Sequence, residues 1–354
     1  MSPEQHSAPA PASRTFLSER IRGCLLGGAY GDATADALTR PGAAGPGITA
    51  NTQLALYSMD GLQEAIEWAN QGLGADETAC IWLAYLRWLR SRGLPLPEAG
   101  LVPQPRPIDA EPLLAAGSGA PDASIDPEVL AALSTGEMGT RQRPVNTAGS
   151  SPAPLVRSAP FGLLPYVETE TVYKLSVDAA SLTHGHPAAR HAAAVFASTV
   201  HGLLVPGATL RAAAAAAVEH AALVPAGDGG APELVDRLRS VIAGGGVDRA
   251  DGQSTDAAQD RPVTAEDALA TGLLVAMEVE DRTAADGPGD GIAPRAAAAV
   301  RSAAGAGGAP SAVVAGSLLG TLYGPDALPD AEAIREYGVV DKLAKAFIDS
   351  TIAP

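Results

Sequence analysis

Glycine recurs at every fourth position near the start of this chain, at Gly23, Gly27 and Gly31, where the apolar residues Ile21 and Leu25 have helical spacing. Residues four apart lie on one face of an α-helix. Each glycine destabilises a helix by about 0.5–1 kcal/mol relative to alanine. A face made of glycine indicates that another backbone, or a ligand, approaches this helix closely, unless it only reflects the abundance of glycine (39 residues) in the chain.

The rest of the chain has the same helical periodicity, and we find no sustained alternation of apolar and polar residues of the kind that marks a half-buried strand. Apolar residues make up 46% of the sequence and aromatic residues 4%, and alanine fills the run 212–217. Alanine has the highest helix propensity and little bulk, which favours closely packed helices. We therefore predict an all-α fold of about a dozen helices.

No domain boundary is visible within the helical array, since its Pro-rich loops fit surface insertions as well as linkers. We predict a disordered tail over 1–15 and one domain over 16–354. The tail is rich in Pro, Ala and Ser and lacks the pattern of a signal peptide. Ser18, Asp76 and Asp126 are predicted helix caps, because short polar side chains accept hydrogen bonds from the first free amides of a helix.

The apolar spacing near the C-terminus predicts four separate helices. They cover 296–304, 310–322, 331–337 and 339–348.

Charge and cysteine content exclude several classes of protein. The formal net charge is −16, which argues against binding nucleic acid or anionic lipid. No apolar run is predicted to span a bilayer. Cys24 and Cys80 are too few for a disulfide framework and are predicted to be buried free thiols. We expect a cytoplasmic protein.

Four segments resemble motifs of the ADP-ribosylglycohydrolase family, in the order in which that family carries them. The longest reads Arg-Ile-Arg-Gly-Cys-Leu-Leu-Gly-Gly-Ala-Tyr-Gly-Asp-Ala, over 20–33. The others are Leu-Val-Arg-Ser-Ala-Pro at 155–160, Leu-Thr-His-Gly-His-Pro at 182–187 and Ser-Leu-Leu-Gly-Thr-Leu-Tyr-Gly at 317–324. The resemblance implies a compact, single-domain, orthogonal helical array.

The resemblance also implies an activity and a cofactor. Members of this family cleave the bond between ADP-ribose and an acceptor side chain with two divalent cations, usually magnesium. The ligands come from a Thr-Asp-Asp-Thr motif and a later Gly-Asp-x-Asp-Thr/Ser motif. Two hard dications need several carboxylate oxygens, and together they orient a ribose hydroxyl and activate a water.

This sequence departs from the family at both metal motifs, since all four expected aspartates are absent. Magnesium loses its water reluctantly, and uncompensated charge in a cleft costs several kcal/mol per ion. We therefore predict that the metal site does not form and that no cofactor is used. The corresponding positions are Thr49, Ala50, Asn51, Ala309, Ser311 and Ala312.

Polar residues remain around the implied ligand pocket. A Gly/Ser loop before Arg157 would wrap the diphosphate in the family, and the helix start near Gly308 offers free amides to an anion. The alternatives are an ordinary surface loop and a packed helix start. The candidate ligand-binding residues are Thr49, Asn51, Gly149, Ser150, Ser151, Arg157, His184, Gly308 and Ser311.

Three titratable residues are candidates for acid–base chemistry, namely Asp32, Glu137 and His184. Asp32 equally fits a supporting or capping role.

Three functions follow from the sequence. The first is an inactive pseudo-hydrolase that binds ADP-ribose, a related nucleotide or a protein partner. The second is a repurposed, metal-independent glycosidase or lyase in the same pocket. The third is a purely structural or interaction protein with a closed cleft.

Overall fold

The computed structural model describes residues 12–40, 45–97, 102–112, 124–246, 262–287 and 291–352. These residues form α-helices joined by turns and short 3₁₀ segments, and no strand occurs among them. The all-α prediction is confirmed, whereas most of the predicted tail lies outside the described residues. The helices are α1 Arg14–Thr39, α2 Ala50–Asn70, α3 Glu77–Ser91, α4 Pro127–Ser134, α5 Ala153–Val156, α6 Ala159–Gly162, α7 Thr169–Ser181, α8 Pro187–Gly202, α9 Leu210–Ala222, α10 Pro232–Ile242, α11 Ala265–Asp286, α12 Ile292–Tyr323 and α13 Tyr337–Thr351.

The glycine face of α1 packs directly on the backbone of α12. A Cβ atom at Gly23 would overlap the carbonyl oxygen of Gly320, and one at Gly27 would overlap that of Gly316. Gly31 meets the backbone of the next turn of α12 in the same way. The close approach predicted from the sequence is therefore helix against helix.

The range of α12 contains two helices that meet at a kink, in agreement with the two helices that the sequence predicted over 296–304 and 310–322. The axis of α12 breaks at Gly307 and Gly308, and Gly308 has φ 68° and ψ −164°, a conformation that only glycine adopts readily. Pro310 follows in the next turn. By length and composition α12 could cross a membrane, contrary to our prediction about apolar runs, but 67% of its most apolar window is buried within this fold.

Several helix starts are those that the sequence predicts, and others are not. Asp76 and Asp126 cap α3 and α4 with their side chains. Helix α1 is capped by Ser13 instead of Ser18 and begins earlier, at Arg14. The helix predicted over 331–337 is wrong: a 3₁₀ turn covers only its first residues, and α13 starts at Tyr337.

Helix α8 runs through the centre of the core, where nearly every residue from Ala189 to Val200 is buried. It contacts α5, α6, α7, α9 and α11. Its N-terminus, capped by the side chain of His186, follows directly on the Thr183–His184 segment. Cys24 and Cys80 are buried and unpaired, as predicted.

Candidate functional site

Asp32 is completely buried and anchors the first turn of α2. Its carboxylate accepts hydrogen bonds from the backbone N–H and the hydroxyl of Thr49, both at 2.7 Å, and from the hydroxyl of Thr52 at 2.7 Å. The Thr52 N–H and the Asn51 amide each donate to it at 3.3 Å. Burial raises the pKa of Asp32, while these hydrogen bonds lower it. With five donors around it, Asp32 acts as a supporting acceptor for α2.

The other residues at the family's metal positions also contact the protein itself. Ala50 and Ala312 are buried and offer no side-chain oxygen, and the Ala50 N–H donates to Ser124 Oγ at 3.2 Å. Ser311 is buried and its hydroxyl donates to the Gly307 carbonyl at 3.2 Å. The hydroxyl of Ser311 is therefore used inside α12, at the helix break.

A second cluster forms around His184, which is fully buried between α7 and α8. Arg157, 1% exposed, donates from Nη2 to the hydroxyl oxygen of Thr183 at 2.6 Å. That hydroxyl lies 2.7 Å from Nδ1 of His184. The guanidinium of Arg157 also stacks over the ring of Tyr85, 4.8 Å from its centroid.

Glu128 and Ser151 meet the opposite edge of the His184 ring. Glu128 Oε2 lies 3.0 Å and Ser151 Oγ 2.8 Å from Nε2 of His184. The backbone N–H of Ser151 donates to the same carboxylate oxygen at 3.0 Å. Glu128 is a residue of this cluster that the sequence did not reveal.

The donors and acceptors of this cluster fix the position of the imidazole proton. Arg157 can only donate, so the Thr183 hydroxyl oxygen accepts from it. The Glu128 carboxylate can only accept, so the proton of the neutral ring lies on Nε2. Nδ1 of His184 then carries no proton and accepts from the Thr183 hydroxyl, and the ring is a donor toward the loop.

Burial, and to a smaller extent the positive charge of Arg157, lowers the pKa of His184 to about 3. The Glu128 carboxylate opposes this effect, but its side chain is 36% exposed and water screens it. His184 is therefore neutral near pH 7.

Glu137, the third candidate for acid–base chemistry, is exposed beyond the end of α4 and is not part of the His184 cluster. Glu128 belongs to that cluster because the Asp126 cap starts α4 with Glu128 in its first turn, facing the loop. The Asp-Pro helix start was the available sequence signal, but it gives no information on what the helix faces.

The loop before α5 is held against the junction of α7 and α8. The carbonyl of Asn146 accepts from the N–H groups of Gly149 at 3.3 Å and Gly185 at 2.6 Å, and His186 N–H donates to Gly149 O at 3.3 Å. On its other side, Ser150 O accepts from the N–H of Ala265 at 3.3 Å. The structure therefore brings Gly149, Ser150 and Ser151 to His184, and indirectly to Arg157.

A cation could find ligands in this second cluster. One oxygen each of Asp126 and Glu128 and one ring nitrogen of His184 lie within 4.8 Å of one another. However, Asp126 Oδ1 already caps α4, and Nε2 of His184 carries a proton in the arrangement described above. The cluster is therefore better suited to donating hydrogen bonds to an anionic oxygen than to binding a cation.

The architecture is that of a known all-α class. A solved structure described as an "ADP-ribosylglycohydrolase-related protein complex" superposes with a TM-score of 0.59, covering 96% of this chain and 100% of that one at 21% sequence identity. At this identity the likeness shows the fold alone. No curated protein matches the chain in a sequence comparison.

The sequence identifies the family directly. The ADP-ribosylglycohydrolase family model matches residues 13–353, nearly the whole chain. The chain therefore belongs to the ADP-ribosylglycohydrolase family, as its four motifs predicted.

Proposed function

We propose that this chain is a non-hydrolytic member of its family, which binds ADP-ribose or a related nucleotide without metal. The observation that carries the proposal is the pair of donors on Glu128. The Ser151 N–H and the Nε2–H of His184 converge on one anionic oxygen. A phosphate oxygen of a nucleotide takes that place when the partly exposed Glu128 side chain moves out.

The donor set at the family's metal positions supports the absence of the two-magnesium centre. Ala50, Ala309 and Ala312 bring no side-chain oxygen. Asp32, the nearby carboxylate, is fully buried and already accepts five hydrogen bonds. Such a set does not fit two hard dications, which require several free carboxylate oxygens.

The proton position on His184 supports binding over acid–base catalysis. A general base must accept a proton from the group that it activates. Nε2 of His184, next to Ser151, already carries its proton, which is hydrogen-bonded to the Glu128 carboxylate. His184 and Ser151 are therefore assigned to ligand binding.

A thermal-shift titration with ADP-ribose, with magnesium and with a chelator, tests the proposal. A ligand at about 100 times its dissociation constant stabilises a fold by about 2.7 kcal/mol. We expect a shift that is equal in both conditions. Glu128→Gln should bind ADP-ribose about five- to tenfold more tightly, because a neutral amide competes less well with phosphate for charge-assisted hydrogen bonds.

Glu137→Gln is the matched control, since it removes the same charge at an exposed position near α4 and should bind like the wild type. A shift that needs magnesium, magnesium-dependent release of ADP-ribose from a modified protein, or no shift in either wild type or Glu128→Gln would each contradict the proposal. Turnover that survives chelator and is lost in His184→Ala would favour a repurposed enzyme instead.

A further inference from the structure

A cavity lies away from the His184 cluster, between α7, α8, α9 and the turn that follows α9. Its volume is about 510 Å³, within the range of about 300–1,000 Å³ typical of small-molecule sites. It shares no residue with the Asp32 or His184 clusters. Its polar lining includes Arg141, Lys174, Tyr173, Arg190, His191 and His220.

Arg190 is the buried cation of this cavity. It is 6% exposed, and its Nε has no hydrogen-bond partner among the described residues. Its Nη1 donates to the carbonyl oxygen of Arg141 at 3.3 Å. A buried charge is costly. Burial and the charge of Arg141 lower the pKa of Arg190, and the charge of nearby Asp178 opposes them.

The wall of the cavity next to Arg190 is held by hydrogen bonds. Nε2 of His191 donates to the carbonyl of Gly229 at 2.9 Å, so its Nδ1 accepts from the Tyr173 hydroxyl at 2.5 Å. The Tyr173 ring also contacts the ring of His220, with centroids 4.6 Å apart. Gly229 has φ 85°, which suits glycine and holds the turn over the cavity.

The free groups of the cavity are predominantly donors. Arg190 Nε and the exposed ammonium of Lys174 offer N–H groups, while Arg141 is shared with Asp178, 3.4 Å away. Two exposed carboxylates, Glu170 and Asp228, also line the cavity. Being exposed, they are screened by water, whereas the charge of Arg190 is not.

We propose that this cavity binds a small molecule carrying a phosphate or carboxylate group, with Arg190 as its buried anchor and Lys174 as a second cation. The proposal does not depend on the function assigned to the His184 cluster. A buried guanidinium that lines a cavity and whose Nε has no hydrogen-bond partner among the described residues is best satisfied by an anionic oxygen.

Calorimetric titration of the whole chain with inorganic phosphate and with citrate, at constant ionic strength, tests this site and distinguishes the two chemistries. We expect saturable binding of at least one probe. Arg190→Gln should weaken it by about tenfold or more, the loss of a charge-assisted hydrogen bond. Lys174→Met, at an exposed position, should weaken it without affecting folding.

Glu170→Gln should strengthen binding of the same probe, because it removes a repelling carboxylate. Arg239→Gln, which removes an exposed cation remote from the cavity lining, is the control and should bind like the wild type. Absence of saturable binding by either probe overturns the proposal. Binding that is unchanged in both Arg190→Gln and Lys174→Met overturns it too, because the anion would then lie elsewhere.

Discussion

At the scale of single residues, the imidazole of His184 shows how a neighbouring carboxylate can decide the role of a histidine. Glu128 lies 3.0 Å from Nε2 and can only accept, so the proton of the neutral ring lies on Nε2 and Nδ1 accepts from the Thr183 hydroxyl. The ring proton therefore faces Glu128 and Ser151. The same residue in the opposite tautomer would be a base toward Ser151.

The lowered pKa of His184 predicts a dependence of stability on pH. The unfolded chain binds a proton at this histidine near pH 6.5, whereas the folded chain does so only near pH 3. The stability that the neutral ring of His184 contributes to the fold is fully present above about pH 6.5 and is lost as the pH falls toward 3. Between about pH 7 and about pH 5 we expect this one group to remove about 2 kcal/mol of unfolding free energy.

Urea denaturation of wild type and His184→Gln at the two pH values measures this loss of unfolding free energy. The variant should lose less stability on acidification than the wild type by that amount. Leu223→Ser, an exposed position without a titratable group, should follow the wild type. Equal losses in wild type and His184→Gln would contradict the buried, neutral ring.

At the scale of elements, the packing of α1 on α12 depends on missing side chains. The two backbones touch over several turns because glycine faces glycine at Gly27–Gly316 and Gly23–Gly320. Asp32 follows this glycine face on α1 and holds the first turn of α2, where the first of the family's metal motifs would lie. The helices thus position the site before any functional side chain is considered.

Replacing one of these glycines with alanine should separate the effect of glycine on helix propensity from its effect on the packing of the two helices. Gly27→Ala improves helix propensity but places Cβ on the Gly316 carbonyl, so we expect a loss of about 3 kcal/mol or more in unfolding free energy. Gly305→Ala, on the exposed face of α12 with open space around its Cβ, should stabilise by about 0.5–1 kcal/mol.

Chemical denaturation of the two variants provides the comparison. A neutral or stabilising Gly27→Ala would mean that the helices separate easily, and would contradict the backbone contact. Because both substitutions are the same and lie in long helices, the difference between them isolates packing from propensity.

At the scale of the whole molecule, the net charge of −16 acts against the compact state. Many acidic groups are exposed, and the exposed ion pairs, such as Arg239 with Glu219, contribute little to stability. Repulsion between the negative charges acts over long distances, so it destabilises the fold as a whole.

Screening this repulsion should stabilise the protein. The Debye length falls from about 30 Å at about 10 mM salt to about 8 Å at about 150 mM. We expect the melting temperature to rise over this range of NaCl, as measured by calorimetry. A fall would mean that attractive pairs, including the buried Arg87–Asp60 contact, outweigh the repulsion.

The sequence by itself determined the all-α class, most of the helices and the family, and it marked the glycine face of α1 as a place of close approach. Periodicity, caps and short motifs are local patterns that lie within a few turns of one helix, as at Asp76 and Gly27. The sequence also named Ser151, Arg157 and His184, three members of the second cluster, as candidates, since they lie in or next to recognisable motifs.

Only the tertiary structure decided what those residues face. Glu128, not Glu137, contacts His184, and the carboxylate of Asp32 is already hydrogen-bonded to the start of α2. Arg190 lines a cavity that no motif marks. These contacts join segments far apart in the chain, and they depend on how the helices pack, which no local pattern records.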